Sequence, residues 1–208
     1  MQILAEKRSE ELLEKEGFPI VKRYFVKSEK DALNKARALK YPLVMKVSSD
    51  KIIHKSDING VITNIFTDSA VKSSFRKLKS IKNAEEVMIQ QSIEGHQLLI
   101  GLKKDEVFGH AIALGAGGIY TEILKDVTFR VCPVSLEDAK SMVNDLKINS
   151  ILKGARNTKP IDFKALYSLI IKLSNLPKKY PKLEELDINP LFASDKKILV
   201  ADARMVFA

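Results

Sequence analysis

His54 is the residue of this 208-residue chain whose type and setting most invite chemistry, because it stands in a polar loop between Ser48 and Gly60 rather than in a periodic apolar segment. A neutral imidazole is nucleophilic near physiological pH, so it can act as a base, a metal ligand or a covalent phosphoryl acceptor. A loop histidine with no role fits the local context equally well. His96 and His110 have no second ligand at a recognisable spacing, which favours a structural role for both.

Asp187, Asn189 and Asp202 are polar residues inside otherwise apolar strands near the end of the chain. A turn centred near Ser194 and Asp195 pairs these strands as an antiparallel hairpin, in which Asn189 falls opposite or nearly opposite Asp202. Asp187 shares a face with Asn189, because residues two apart on a strand point the same way. Carboxylate and amide oxygens suit a hard cation such as Mg²⁺ held together with nucleotide phosphates. A register slip of one residue would disperse the patch, and plain solvent exposure is the alternative.

Lys46 puts a charge on an otherwise apolar strand, where it could neutralise nucleotide phosphates or simply extend to water at the sheet edge. The glycine-rich turn with Gly115, Gly117 and Gly118 could let backbone N–H groups approach a phosphate. The sequence contains no Walker A motif, and a tight turn without a ligand explains the glycines equally well.

Apolar periodicity and capping residues predict the elements that position these side chains. Helices are predicted from Leu4 to Lys15 with Gly17 as the stop, after the cap Ser28, from near Ser69, from Ser135 to about Leu146 and from Asp162 to Leu173. Strands are predicted at residues 20–26, 41–47, 61–66, 87–91, 97–102, 109–114, 119–124, 186–192 and 198–207. On the strand 41–47, alternation puts Leu43, Met45 and Val47 on one face.

The organisation of the chain changes near Gln91 to Gly95, where an alternating αβ portion gives way to short strands typical of an antiparallel sheet. We therefore predict an α+β protein with two lobes joined at a hinge. Residues 1–90 would form the first lobe with the loop of His54, and residues 91–208 the second lobe with the acidic strands.

Composition narrows the class of function. The 35 Lys and Arg residues outnumber the 26 Asp and Glu residues and give a net charge of +9, which favours an anionic partner or substrate. The basic residues are scattered singly, which disfavours nucleic-acid binding. The single cysteine, Cys132, excludes an intrachain disulfide and a zinc site of Cys and His ligands. No apolar run is long enough to span a membrane, so we expect a cytoplasmic protein without a membrane partner.

Five segments occur in an order that is specific to one family. They are residues 41–49 (YPLVMKVSS), 52–57 (IIHKSD), 117–122 (GGIYTE), 186–191 (LDINPL) and 201–204 (ADAR). Together they closely resemble the ATP-grasp beta subunit of the ADP-forming acetyl-CoA or acyl-CoA synthetases, relatives of the succinyl-CoA synthetase beta subunit. The resemblance covers nearly the whole chain.

This resemblance implies an ATP-grasp fold with nucleotide between two α+β lobes, and it implies a role for each candidate residue. The roles are a transiently phosphorylated histidine for His54, a position beside the phosphohistidine for Asp187, phosphate binding for Lys46, an adenine-side hinge for Gln90, Gln91, Ser92, Ile93 and Glu94, ribose binding for Gln97, and Mg²⁺ binding for Asn189 and Asp202.

The resemblance also implies a reaction and a partner. A CoA-binding alpha subunit with a second phosphohistidine converts acyl-CoA and phosphate to free acid and CoA, and the beta subunit passes the phosphoryl group to ADP with Mg²⁺ to make ATP. The sequence has no Gly-x-Gly-x-x-Gly unit for CoA, so an alpha partner is required for the full reaction. The resemblance implies an α2β2 heterotetramer. Two alternatives stay open: an ATP-grasp ligase that forms an acyl phosphate directly, and a nucleotide-binding regulatory subunit without turnover.

Three positions depart from the family pattern. Asn59 stands where glycine is usual after the histidine loop, Gln97 where an acid is frequent, and Asn157 where glycine is common after Arg156. The amide oxygen of Gln97 can still accept a hydrogen bond from a ribose hydroxyl.

Overall fold

The structure is a computed structural model that describes residues 1–52, 55–118, 126–155 and 159–208. These residues form two compact units. The smaller unit is Val21–Ile93, and the larger unit combines Met1–Ile20 with Glu94–Ala208. The division predicted from the sequence, 1–90 and 91–208, differs from this grouping in residues 1–20 and 91–93. Residues 1–20 join the larger unit, where strand Gln2–Leu4 pairs with strand Ala203–Phe207 at the other end of the chain.

Helices and strands alternate first and are followed by a strand-rich portion, as the sequence predicts. In chain order the elements are β1 (Gln2–Leu4), α1 (Glu6–Lys15), β2 (Arg23–Val26), α2 (Glu29–Leu39), β3 (Leu43–Ser48), β4 (Val61–Ile65), α3 (Asp68–Lys79), β5 (Glu86–Gln91), β6 (His96–Asp105), β7 (Gly109–Ala116), β8 (Val127–Val131), α4 (Leu136–Asp145), α5 (Asn149–Leu152), α6 (Phe163–Ser174), α7 (Leu176–Lys179), β9 (Leu183–Ala193), β10 (Ile198–Val200) and β11 (Ala203–Phe207). None of these helices is long and apolar enough to cross a membrane.

A four-stranded antiparallel sheet in the order β2-β5-β3-β4 carries the smaller unit. Leu43, Met45 and Val47 of β3 are fully buried in one cluster with residues of α2 and α3, which confirms the predicted alternation. The helices begin where the sequence has capping side chains, since the Ser28 hydroxyl accepts a hydrogen bond from Asp31 N and Thr67 caps α3 in the same way.

A seven-stranded sheet carries the larger unit, in the order β1-β11-β9-β6-β7-β8 with β10 beside β9, and its ladders are antiparallel. One face packs on α4 and α6 and contributes buried residues such as Leu98, Ile100 and Leu114 to the core. Because side chains alternate along a strand, the opposite face carries the remaining residues, among them Gly101 and Asp187.

Several predicted elements need correction. The helix predicted from Leu4 begins at Glu6, because Leu4 belongs to β1 and pairs with Met205. β8 was not predicted, and the strand predicted at residues 198–207 is divided into β10 and β11 by Ala201 and Asp202. The strand predicted at 119–124 lies outside the described residues. The predicted helices at Ser135 and Asp162 are confirmed, each with a side-chain cap at its first turn.

Candidate functional site

Lys46 and Gln90 lie on one face of the sheet of the smaller unit. Lys46 in β3 pairs with Met88 in β5, and Gln90 follows two residues later on the same strand, so the two side chains point the same way. Both are buried, with 6% of Lys46 and 4% of Gln90 exposed. Lys46 carries a positive charge that could neutralise a nucleotide phosphate.

The predicted hinge follows directly from β5. Gln91 N donates a hydrogen bond to Lys22 O at 3.2 Å, and Ser92 N donates to Pro42 O at 3.0 Å, so the end of the strand is held by its neighbours. Ile93 is the last residue of the smaller unit, and Glu94, which is exposed, is the first of this part of the larger unit. The predicted adenine-side residues therefore span the connection between the two units along the chain.

Gln97 lies at the start of β6 against the glycine-rich turn. Gly117 N donates a hydrogen bond to Gln97 O at 2.8 Å. Gly118 has a φ of +63°, and a Cβ built there would collide with the Gln97 side chain. A Cβ at Gly117 would stand 2.6 Å from the backbone carbon of Leu98. The turn needs glycine because it packs on the backbone of β6 and on the side chain of Gln97.

Asn189 and Asp202 occupy corresponding positions between two paired stretches of the closing strands. The ladder keeps one register on both sides of them, with the pairs Ile188–Ala203 and Leu191–Val200. Ala201 N donates to Pro190 O at 3.2 Å where the regular ladder is interrupted. The connecting residues 194–197 are centred between Asp195 and Lys196, one residue later than predicted, and of the two predicted arrangements, opposite or nearly opposite, this register gives the first.

Asp187 shares the face of Asn189 and lines an open groove of about 370 Å³ on the sheet of the larger unit. It pairs with Gly101 in β6 and with Arg204 in β11. The walls of the groove include Lys103, Glu185 and the exposed ring of Phe129. The groove thus has an acidic end at Asp187 and an apolar end at Phe129.

The pKa of the Asp187 carboxyl is raised above its ordinary value. The main cause is that the surrounding groups of the groove displace water from the Asp187 carboxylate, which disfavours its ionised form. Part of the side chain is still exposed to solvent. Arg204 opposes this effect, while the negative charges of Asp202 and Glu185 add to it. A cation bound on this face would relieve the repulsion between these carboxylates.

The donor set fits a magnesium ion that is held together with a nucleotide. Asn189 and Asp202 offer one amide oxygen and one carboxylate, which are the hard ligands that Mg²⁺ prefers. In the described part of the chain, no three His, Cys, Asp or Glu side chains cluster so that they could hold a metal ion alone. The remaining ligands would therefore be phosphate oxygens and water, which is the usual arrangement for Mg²⁺ in nucleotide sites.

His54 lies outside the described residues, but the loop that carries it is anchored on both sides. Ile52 N donates to Ser49 O at 3.3 Å just before it. After it, Gly60 N donates to Lys55 O at 2.7 Å, and Val47 N of β3 donates to Gly60 O at 2.8 Å. The loop therefore leaves from the end of β3 and returns to the same strand. Residues 119–122 of the glycine-rich motif, Arg156 and Asn157 also lie outside the described residues.

Arg204 and Glu185 are site neighbours that the sequence reasoning missed. Arg204 Nη2 donates a hydrogen bond to Glu185 Oε1 at 3.1 Å. In the ladder between β11 and β9, Arg204 is the residue opposite Asp187. The sequence did contain a signal for both residues. Arg204 stands two residues from Asp202, and Glu185 stands two residues from Asp187, so each is expected on the same face of the sheet as its neighbouring candidate.

The chain matches the ATP-grasp domain family over residues 1–207. It is 38% identical to the beta subunit of the ADP-forming acetate–CoA ligase I of Pyrococcus furiosus, over 98% of this chain and 91% of that subunit. It is 35% identical to the beta subunit of ligase II of the same organism, with the same two coverages. An ADP-forming acetate–CoA ligase II of Archaeoglobus fulgidus is 38% identical, and the match covers 98% of this chain but 30% of that protein.

Solved structures agree with the sequence matches. The dinucleotide-forming acetyl-coenzyme A synthetase 1 of Ca. Korarchaeum cryptofilum, in complex with coenzyme A and Ca-AMPCP, superposes with a TM-score of 0.92 at 32% identity, over 100% of this chain and 94% of that chain. A second structure of that enzyme, with coenzyme A and Mg-AMPPCP, has a TM-score of 0.85 at 31% identity, over 99% and 93% of the two chains. Its phosphohistidine segment points towards the nucleotide-binding site.

Proposed function

This chain belongs to the ATP-grasp family and, within it, to the beta subunits of the ADP-forming acetate–CoA ligases, and we propose that it transfers a phosphoryl group between His54 and ADP. The overall reaction converts acyl-CoA, ADP and phosphate to free acid, CoA and ATP, and it is reversible. The observation that carries the proposal is the register that sets Asn189 opposite Asp202 with Asp187 on the same face.

The proposal assigns one role to each residue of the predicted nucleotide site. Lys46 and Gln90 share a buried face in the smaller unit, where Lys46 neutralises phosphate charge and Gln90 to Glu94 run beside the adenine. In the larger unit, Gln97 accepts a hydrogen bond from the ribose, and Asn189 and Asp202 hold Mg²⁺. When bound, Mg²⁺ supplies charge neutralisation for the phosphates.

Asp187 is the proposed partner of the phosphohistidine. A carboxylate that accepts the second ring N–H of an imidazole fixes its tautomer and orientation, so that the other nitrogen carries the phosphoryl group. In the direction of ATP synthesis, the bond between phosphorus and the His54 nitrogen breaks, a bond to the ADP β-phosphate oxygen forms, and the histidine leaves as a neutral imidazole. Phosphoryl transfer depends mainly on positioning and charge neutralisation, which these residues provide.

The reaction also needs a CoA-binding partner. The relatives from Pyrococcus furiosus are named as beta subunits, while the Archaeoglobus fulgidus ligase is one chain of which the match covers 30%. We propose that a CoA-binding alpha subunit with a second phosphohistidine supplies the missing part, in an α2β2 heterotetramer. We also propose that the chain acts in the cytoplasm.

The acyl group is proposed to be acetate, and the partner would set the specificity. Two relatives at 38% identity are named as ligases for acetate and for 4-hydroxybutyrate, and one at 31% identity is named as a trans-feruloyl-CoA synthase. Such different acids on similar chains are expected if the acid meets the alpha subunit, while the beta subunit handles the nucleotide and phosphohistidine.

Trapping the phosphorylated chain tests the proposal. The purified chain is incubated with Mg²⁺ and γ-labelled ATP, alone and with the alpha subunit, quenched in alkali, and the acid-labile label is located by mass spectrometry. We expect label on His54 that is lost in His54→Ala and kept in the matched control His96→Ala. Labelling that survives in His54→Ala would overturn the phosphohistidine step. Tight Mg-ATP binding without any label, even with the partner, would support direct acyl-phosphate formation or a subunit without turnover.

A further inference from the structure

Asp126 is a buried carboxylate that the proposed transfer does not use. Only 4% of Asp126 is exposed to solvent. Its two carboxylate oxygens accept hydrogen bonds from Lys147 N at 2.8 Å and from Ile148 N at 3.0 Å. These two amides lie in the connection between α4 and α5. Because a separate backbone donor holds each carboxylate oxygen, Asp126 is firmly fixed to this connection.

The backbone of Asp126 holds the glycine-rich turn from the other side. Asp126 O accepts a hydrogen bond from Ala116 N at 3.0 Å. A Cβ at Gly115 would stand 2.7 Å from the same carbonyl oxygen, so the two backbone segments approach as closely as glycine allows. A shift of Asp126 would therefore be transmitted to the backbone at Gly115 and Ala116.

The glycine-rich turn also contacts Gln97, the side chain that is proposed to bind ribose. Gly117 N donates to Gln97 O, and the backbone of Gly118 lies against the Gln97 carboxamide so closely that a Cβ there would collide with it. A continuous path of hydrogen bonds and contacts thus runs from the Asp126 carboxylate through the turn to Gln97. All of its members belong to the larger unit.

We propose that Asp126 is a positioning residue for the nucleotide: through the Gly115–Gly118 turn it holds the side chain of Gln97 where that side chain meets the ribose. This inference rests on the proposed function, which assigns Gln97 to the nucleotide. Asp126 itself touches no substrate and acts only through the turn.

Asp126→Asn is the variant that tests this role. An amide keeps the shape of the side chain but offers one acceptor oxygen, and its NH₂ group faces a backbone donor, so one of the two hydrogen bonds is lost. The affinity of the full chain for Mg-ADP is measured by titration calorimetry well below the unfolding temperature. We expect it to fall by up to about tenfold, the order of the loss of one hydrogen bond to the ribose.

Asp138→Asn is the matched control, because it changes a carboxylate at the other end of the same helix. Asp138 Oδ2 accepts from Ser135 N at 2.8 Å and completes the capping box of α4, without a contact to the glycine-rich turn. This variant should lower the unfolding temperature and leave the Mg-ADP affinity unchanged. An equal loss of affinity in both variants would assign Asp126 a purely structural role and overturn the inference.

A double-mutant cycle separates a route through Gln97 from any other route. In a Gln97→Ala background, Asp126→Asn should add little to the loss of affinity, because its target is already gone. Additive losses would overturn the inference. If Asp126→Asn fails to fold, Ile148→Pro removes one donor at a residue whose φ of −74° suits proline, and it should weaken Mg-ADP binding by a similar factor.

The two hypotheses fail in different ways. A wild-type chain that does not bind Mg-ADP would remove the proposed function and the inference with it. Normal binding by the wild type together with unchanged affinity in Asp126→Asn would remove only the inference.

Discussion

Asn189 stands opposite Asp202 where the ladder between the closing strands is interrupted. The register is the same on both sides of the interruption, and the hydrogen bond from Ala201 N to Pro190 O holds the two segments together there. Facing side chains on neighbouring antiparallel strands have Cβ atoms about 4.5–5.5 Å apart. We therefore propose that one cation contacts the amide oxygen of Asn189 and the carboxylate of Asp202 at once.

Asp202→Ala removes the only charged member of this pair. We expect the affinity for ADP in the presence of Mg²⁺ to fall about tenfold or more, while the weaker binding in EDTA stays as in the wild type, because the lost group acts through the metal. Titration calorimetry with and without Mg²⁺ measures both values. Asp195→Ala is the matched control, since this turn aspartate is 3.6 Å from Lys159 and should leave both affinities unchanged. Unchanged Mg-dependent affinity in Asp202→Ala would contradict the metal assignment.

Asp187→Asn should separate stability from activity. The folded-state pKa of Asp187 is raised by loss of hydration and by Asp202 and Glu185, so its ionised form destabilises the fold at neutral pH and a neutral amide of the same shape does not. We expect an unfolding temperature at pH 7 equal to or above that of the wild type, with phosphoryl transfer slowed about 100-fold or more because the histidine loses its orienting group.

Asp105→Asn is a control in which the unfolding temperature should change in the opposite direction. The backbone N–H groups of Phe108 and Val107 hydrogen-bond the Asp105 carboxylate and hold its pKa below the ordinary value. Its ionised form therefore stabilises the fold at neutral pH, and the amide should lower the unfolding temperature there. If Asp187→Asn also lowered it at pH 7, the stated effect of the Asp187 environment would be wrong.

Local chemistry made several parts of the fold predictable. A hydroxyl or carboxylate at the start of an apolar period marks a helix end, and Ser28, Ser135 and Asp162 each accept the backbone hydrogen bond expected of a cap. The register of the closing strands was accessible to within one residue, because a short turn limits which residues can face each other.

Two strands were missed for different reasons. β1 pairs with residues that are distant in sequence, and β8 has polar side chains on the face where apolar ones are usual. β1 has three residues, and its pairing with β11 joins the two ends of the chain. In β8 the polar side chains face the helix side, where Thr128 Oγ1 donates to Met142 O and Arg130 pairs with Asp145, while Phe129 faces outward and is exposed. The usual pattern of apolar residues towards the helices is inverted there, so alternation alone misleads.

Tyr41→Phe should change how stability depends on alkaline pH. Burial and the hydrogen bond from Tyr41 Oη to Asp68 Oδ1 at 2.6 Å raise the pKa of Tyr41 to about 12. A raised pKa means that the fold favours the neutral phenol, so its contribution is complete below about pH 10, the ordinary value, and is lost as the pH rises to 12. Urea unfolding from pH 8 to 12 measures the free energy of unfolding of wild type and variant. The difference between the two values should be constant at first and then disappear. A difference that persists unchanged at the alkaline end would contradict this assignment.

Gly60→Ala should slow phosphorylation of His54 without removing any of the proposed reacting groups. A Cβ at Gly60 would stand 2.7 Å from Val47 Cγ1 and 2.8 Å from Lys55 O, so the returning end of the loop must move away from β3. Misplacing a reacting group by about 1 Å can cost a factor of about 100, and we expect labelling at least tenfold slower in the γ-labelled ATP assay. Gly109→Ala is the control, because its φ of +78° strains alanine with nothing within 4 Å of the new Cβ, so it lowers stability and leaves labelling unchanged. Labelling of a folded Gly60→Ala at the wild-type rate would show that the anchor at β3 does not set the position of the histidine.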